Sequence, residues 1–315
     1  DKGMKIEDAG LEALGTAEKV TLNIDGLKVK SQKKAAILVK TKVGADITVK
    51  NIDLTEVKAD GLNAVWVDED HAAYADLVTV TGASKVVEGA VVDAYVISDK
   101  AGLFWFANEV NVKGNSFAGK TVTLGADIDL ENAAWTPIGQ TGATTFCGVF
   151  DGQGYTISNL NVNSEAFTGD NYSSGLFGWV ESHSAGNGHI KNVNINGATI
   201  HGHHNCGALV GYITDKNALV ENCHVTGATV TCTVATSEAN GDKAGALIGN
   251  ATVATPIKNC SAADSTVSAG RDAGQVIGAG HAAIITGCSA TNVEVTANGT
   301  GTGANIRNEV IGRLL

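Results

Sequence analysis

The residues best suited to chemistry stand together in the hexapeptide HGHHNC. There His201, His203, His204 and Cys206 place three imidazoles and a thiol within six positions, a donor set that suits Zn2+ or Cu2+. Three more thiols, Cys223, Cys260 and Cys288, recur at one place in a repeated phrase. Asp127, Asp129 and Asp151 offer carboxylates of the kind a polysaccharide lyase or glycosidase uses. A lyase also needs a basic residue beside a bound uronate, and a glycosidase needs two carboxylates facing across a cleft. Residues 121–315 hold 7 Lys and Arg, and their 15 acids are scattered. DIDL at Asp127–Leu130 therefore reads as strand alternation and FDGQG at Phe150–Gly154 as a glycine turn. The oxygen-rich DEDH at Asp68–His71 could hold Ca2+, and a solvated loop is the simpler reading. None of these groups implies a cofactor.

What positions them is a repeat. GLFG at Gly175–Gly178 returns as GALVG at Gly207–Gly211, GALIG at Gly245–Gly249 and GQVIG at Gly274–Gly278. A second phrase accompanies each: IKNVNINGATI from Ile190, VENCHVTGATV from Val220, IKNCSAADSTV from Ile257 and ITGCSATNVEV from Ile285. Short β-type runs recurring at this period mark a solenoid, here all-β with parallel rungs. The glycine phrases lack the strand-to-helix context and following Lys of a phosphate cradle. Gly175, Gly178, Gly207, Gly211, Gly245, Gly249, Gly274 and Gly278 therefore read as corners of the rungs.

Aligning the phrases yields columns. One slot reads Leu160, Val193, Cys223, Cys260, Cys288. The slot three before it reads Ile157, Ile190, Val220, Ile257, Ile285, and the slot seven after Val193 reads Ile200, Val230, Val267, Val295. Alike residues stacked about 4.8 Å apart form an interior ladder, in which buried Cys behaves as a small hydrophobe. Stacked neighbours also hold their Cβ atoms further apart than the ~3.8 Å a disulfide wants. A thiol ladder is thus favoured over bridges. The same alignment sets Cys206 with Ala244 and Ala273, as a core filler. It sets His201 with Thr231, Ser268 and Thr296, at a solvent-facing strand end. The histidine cluster is left as a weak metal site, open to adventitious ions.

Residues 1–100 alternate in the β manner more loosely, with comparable strands beginning at Leu22, Ile47 and Leu77. They read as an N-terminal β region, the first rungs of the same stack or a separate β domain over residues 20–98, with residues 1–20, which allow a short helix around Glu7–Leu14, as an end cap or a flexible leader. Residues 101–315 form the repeat domain. Its first stretch, AGLFWFANEVNVK, breaks the β rhythm, with Leu103, Phe104, Phe106 and Ala107 lining a short helix. Trp135, in WTPIG, is expected to anchor packing, and NEVIG at Asn308–Gly312 to close the last rung.

Charge limits the partners. The chain has a net charge of −11 and three Arg among 315 residues, which argues against nucleic acid or anionic membrane. No apolar run reaches the roughly 18 residues needed to span a bilayer. The start at Asp1, with no charged-then-apolar leader, is expected of a secreted chain whose signal peptide or anchor has been removed.

The glycine phrases, with the lead-in WTPIG at Trp135–Gly139 and FCGVFDGQGYTISNL at Phe146–Leu160, resemble the GLUG motif. That motif belongs to bacterial surface proteins and is also found beside immunoglobulin-A protease domains. The resemblance covers roughly residues 101–315. It implies a right-handed parallel β-helix, display outside a bacterial cell, and an adhesin-like role toward host glycan or protein. It carries no catalytic residue. A zinc peptidase would need HExxH, and none of the eight His is followed by Glu. A carbohydrate-active β-helix enzyme and a purely structural stalk are the rival readings.

Overall fold

The computed structural model describes residues 4–7, 20–25, 37–40, 45–50, 64–67, 78–81, 84–87, 94–163, 173–181, 188–233, 242–252, 254–280, 284–297, 305–307 and 309–315. Among these the fold is all-β with parallel pairing throughout, apart from one α-helix at Lys100–Asn111. The chain forms two compact units, Asp1–Trp105 and Phe106–Leu315.

In the first unit, Met4–Glu7, Ile37–Lys40, Ala64–Val67 and Ser84–Val87 pair in that order, and Val20–Asp25, Ala45–Lys50 and Val78–Thr81 form a second sheet. Within Ala45–Lys50 the residues Ala45, Ile47 and Val49 are buried and their neighbours are not, the period-two pattern of a sheet with one dry face. Leu22 pairs with Ile47 as the spacing predicts. The next partner is Val80, three residues beyond Leu77. Met4–Glu7 is a strand, so Glu7 does not open a helix. Residues 8–14 and the DEDH stretch lie outside the described residues.

The second unit starts from an aromatic cluster. Phe106 packs on Phe117, Phe146, Phe150 and Phe177 with ring centroids 4.9–6.4 Å apart. The buried apolar side chains of the helix are Leu103, Phe106, Ala107 and Val110, the i, i+3, i+4, i+7 stripe of an amphipathic helix. Phe104 falls off that stripe and is only half-buried. Trp135 is 3% exposed, and its indole Nε1 donates to the Leu176 carbonyl at 3.1 Å.

The repeats lay corresponding segments side by side in four sheets. One runs Thr121–Leu124, Val149–Asp151, His189–Lys191, Leu219–Glu221, Ile257–Lys258, Ile285–Thr286. A broad sheet collects two segments per repeat: Thr156–Ser158, Asn194–Asn196 and His224–Thr226, then Asn161–Asn163, Thr199–Gly202 and Thr229–Cys232. The nine-residue strands Ser261–Ala269 and Ser289–Ala297 span both halves. Two five-stranded sheets complete the unit, one containing Asp272–Gly274 and the other Ile277–Gly280.

Strand register corrects the first member of two columns of the sequence alignment. Ile157 pairs with Ile195, not Ile190, and Val162 with Ile200. Leu160 therefore stacks at the level of Ala198, whose neighbour Thr199 donates its amide to the Leu160 carbonyl. It is not in the column of Val193. Ile190 instead pairs with Phe150. The confusion has a physical source. Each repeat bends twice through a left-handed residue, at Asn192, Asn222 and Asn259 and again at Gly197, Gly227, Asp264 and Asn292. Asn tolerates that conformation best among non-glycine residues. Asn159, with φ +56°, occupies the second bend but reads in sequence like the first.

The second glycine of each phrase is not at a corner. Gly178, Gly211, Gly249 and Gly278 lie inside strands. A Cβ on Gly249 would stand 2.5 Å from the Cys206 amide nitrogen, and one on Gly211 would stand 2.6 Å from the Ser173 Cβ. Gly207, at the start of its phrase, would meet the Leu247 carbonyl at 2.6 Å. At Gly178, Gly211, Gly249 and Gly278 glycine is needed because one backbone rests on another, while Gly175 and Gly207 stand where the chain passes from one sheet to the next.

Candidate functional site

The histidine cluster does not converge. His201 lies on the broad sheet between Asn163 and Thr231. His203 turns to the Thr233 carbonyl, which its Nδ1 meets at 2.9 Å; a carbonyl only accepts, so that nitrogen carries the proton. His204 holds φ +63° in the turn that leads to Asn205–Cys206. Among the described residues no three His, Cys, Asp or Glu side chains are grouped to hold a metal ion. Cys206 pairs with Ser174 and Ala244, and Ala244 with Ala273, all buried.

The thiols do line up. Cys223, Cys260 and Cys288 each direct Sγ toward a carbonyl of the preceding repeat, those of Ile190, Val220 and Ile257, at 3.8–3.9 Å. All six cysteines of the chain are free. Val193, Cys223 and Cys260 are fully buried, but Cys288 is only half-buried. The correction follows from the sheet order: among the described residues Ile285–Thr286 is the outermost strand of its sheet, so the stacked column ends at Cys288. A hydrogen bond with Cys223 and then burial push the Cys260 thiol up to about 12, although its contact with Cys288 opposes this. Cys288 is also raised, chiefly by its hydrogen bond with Cys260. Such thiols are inert packing groups at neutral pH.

The carboxylates are engaged in turns. Asp127 accepts the Thr156 amide at 2.8 Å, and Asp129 accepts the Glu131 amide at 2.7 Å and the Asn159 side chain at 2.8 Å. Asp151 accepts the Asn192 side chain at 2.9 Å and the Gln153 amide at 3.0 Å, and sits 3.3 Å from the Lys191 ammonium. Burial opposes its ionisation. The bonds from Asn192 and Gln153, with Lys191, outweigh burial and hold its carboxyl below the usual range. The first bend is thereby tied from repeat to repeat, since Asn192 Oδ1 accepts in turn from Asn222 at 3.3 Å. The sequence signal for this is the Asn shared by IKN, VEN and IKN, at Asn192, Asn222 and Asn259.

What is left for recognition is the outer face of the broad sheet. Its inner columns are Ile157, Ile195, Val225, Ala262 and Val162, Ile200, Val230, Val267, Val295, all buried. The alternating positions point the other way. They form polar rows such as Asn161, Thr199, Thr229, Thr266, Glu294 and Asn163, His201, Thr231, Ser268, Thr296. A third row is Thr156, Asn194, His224, Ser261, Ser289, in which His224 Nδ1 meets Ser261 Oγ at 2.8 Å. Thr199, Thr229 and Thr266 are exposed. Tyr155, 37% exposed, stands beside this face, its carbonyl accepting the Asn194 amide. Hydroxyls and amides about 4.8 Å apart can bind a partner through many hydrogen bonds, but they bring no acid–base pair together.

No helix of the described residues is long and apolar enough to cross a membrane. No protein-family model matches the chain. It is 28% identical over 162 residues to Halomucin of Haloquadratum walsbyi, a match that takes in 48% of this chain and 2% of that protein's length. It is also similar to the crystal structure of a candidate immunoglobulin A1 protease from Bacteroides ovatus, with a TM-score of 0.41 and 16% identity over 67% of this chain and 79% of the other.

Proposed function

We propose that Phe106–Leu315 is a right-handed parallel β-helix of the GLUG-repeat kind, acting outside a bacterial cell as a non-catalytic binding module for glycan or protein. The observation that carries this reading is the outer face of the broad sheet. It is built from Thr, Asn, Ser and His and is continuous over successive repeats. A face of this composition suits a partner rich in hydroxyls and amides, because each contact is a modest hydrogen bond and affinity comes from their number. The commitment of Asp127, Asp129 and Asp151 to turns supports binding over hydrolysis.

The test is a glycan array together with immobilised mucin, probed with the whole chain and with a variant carrying Thr199→Lys, Thr229→Lys and Thr266→Lys. Binding that the triple variant loses supports the reading. Cleavage of a polysaccharide without stable binding would replace it with an enzyme.

A further inference from the structure

Where the broad sheet gives way to the strand Asp272–Gly274, the molecule gathers cations around a buried acid. Two of the three arginines meet there. Asp272 is fully buried, and its Oδ2 lies 3.4 Å from Arg313 Nη1 and 3.9 Å from Arg271 Nε. Lys243, 8% exposed, stands directly across the strand pair from Asp272, and Asp242 beside it is 4% exposed. Among the described residues three basic side chains thus stand with two carboxylates, in a chain of net charge −11. Burial raises the Asp242 carboxyl, against the pull of His204 and Lys243, which weakens the negative side further.

The donors are also in excess. Arg271 Nη1 is buried without a hydrogen-bond partner. An unmet donor on a permanently charged group is costly, and turning the partly exposed Arg271 side chain toward an acceptor at the surface would relieve it. Both guanidinium side chains still reach solvent, at 30% and 35% exposure. Arg271 lies three residues beyond Ser268, at the margin of the polar rows.

We propose that Arg271 and Arg313, held on Asp272, form an anion subsite that takes the carboxylate or sulfate of an acidic sugar. The subsite rests on the glycan-binding reading and gives it a substrate class. Planar guanidinium forks match both oxyanions. Lys243 stands behind them without reaching the surface, and burial lowers its pKa against the pull of Asp272.

With only three arginines, the side-chain Nε–Hε signals of the whole chain can be followed individually by NMR. N-acetylneuraminic acid and galactose 6-sulfate are titrated separately, with galactose as the neutral control. The signals of Arg271 and Arg313 should shift saturably with at least one acid, and that of Arg307, paired with Glu309, should not. Arg271→Gln and Arg313→Gln should each weaken the response about tenfold or more. No saturable shift, or a common drift of all three signals, overturns the subsite even if neither variant folds. On the array, neutral glycans bound with no gain from an acidic sugar remove only the subsite, whereas no glycan bound at all removes the reading beneath it.

Discussion

The broad sheet and the two five-stranded sheets of the second unit obey different rules. In the broad sheet burial alternates, as in Thr229–Cys232, where Val230 is buried and Thr229 is exposed. In the five-stranded sheets Lys243–Gly245, Ile248–Ala251, Asp272–Gly274 and Ile277–Gly280 are buried at every position. A strand covered on both faces constrains every side chain, so its sequence repeats almost verbatim. A strand with one wet face constrains every second residue and leaves the rest free to differ. The conspicuous phrase GALVG therefore reports packing, and the face available for recognition lies where the repeats disagree.

The largest effect should come from breaking the close backbone approach. Gly249→Ala would place a Cβ 2.5 Å from the Cys206 nitrogen, 2.7 Å from the Gly211 carbonyl and 2.8 Å from the Asn205 carbonyl carbon. All three are backbone atoms that cannot step aside, and overpacking of this kind should cost about 3 kcal/mol. Gly154→Ala has nothing within 4 Å and only the strain of φ +83°, which should cost about 1 kcal/mol. Urea denaturation of both variants measures the difference. Equal losses would mean that backbone freedom, not proximity, is what the repeat glycines supply.

The thiol column gives the next effect. Cys260→Ser buries a hydroxyl where a thiol was packed, and should cost about 2 kcal/mol. Cys288→Ser, on the open side of its sheet, should cost less than half of that. In the folded protein at pH 8 a maleimide should label Cys288 ahead of Cys223 and Cys260, because Cys288 alone of the three is partly exposed. Rapid labelling of Cys260 would contradict an interior column.

These columns also show how far the sequence could be read. Period-two alternation and the repeated phrases were enough for parallel strands, the Cys column and the partners of His201, because wherever a face is buried a slip of one residue would turn it outward. Leu160 was misplaced because two left-handed bends in each repeat both accept Asn, so the letters match at the wrong bend. The partial exposure of Cys288 was invisible, since a column does not say which member lies outermost. The cluster at Asp272 was hidden for a stronger reason. Arg271 and Arg313 are 42 positions apart in the chain, in segments whose sequences share no charged pattern.

Two acids should respond to pH with opposite signs. Asp151 has a depressed folded pKa, so its stabilisation is present above the ordinary carboxylate range and lost as pH falls through the depressed value. Asp151→Asn should lower the urea midpoint at pH 7, by about 1 kcal/mol for the weakened charge-assisted bonds, and have little effect in strong acid. Asp242 has a raised folded pKa, so its favourable contribution is present below the ordinary range and fades as pH rises through the raised value. Asp242→Asn should therefore help at pH 7 and be neutral in strong acid. A loss at pH 7 for Asp242→Asn would mean that the cations around it dominate over burial.

The smallest stability effect should be on the wet face, and it is the most informative about function. Thr229 and Val230 are consecutive, one exposed and one buried. Val230→Ala removes interior packing and should cost about 2 kcal/mol. Thr229→Ala removes an exposed hydroxyl and should stay within about 0.5 kcal/mol of the parent. If the Thr row had a structural role, Thr229→Ala would approach the cost of its neighbour. If the row serves recognition, Thr229→Ala should reduce partner binding while the urea midpoint stays fixed. Within one strand the two substitutions thus separate what holds the repeat together from what it presents.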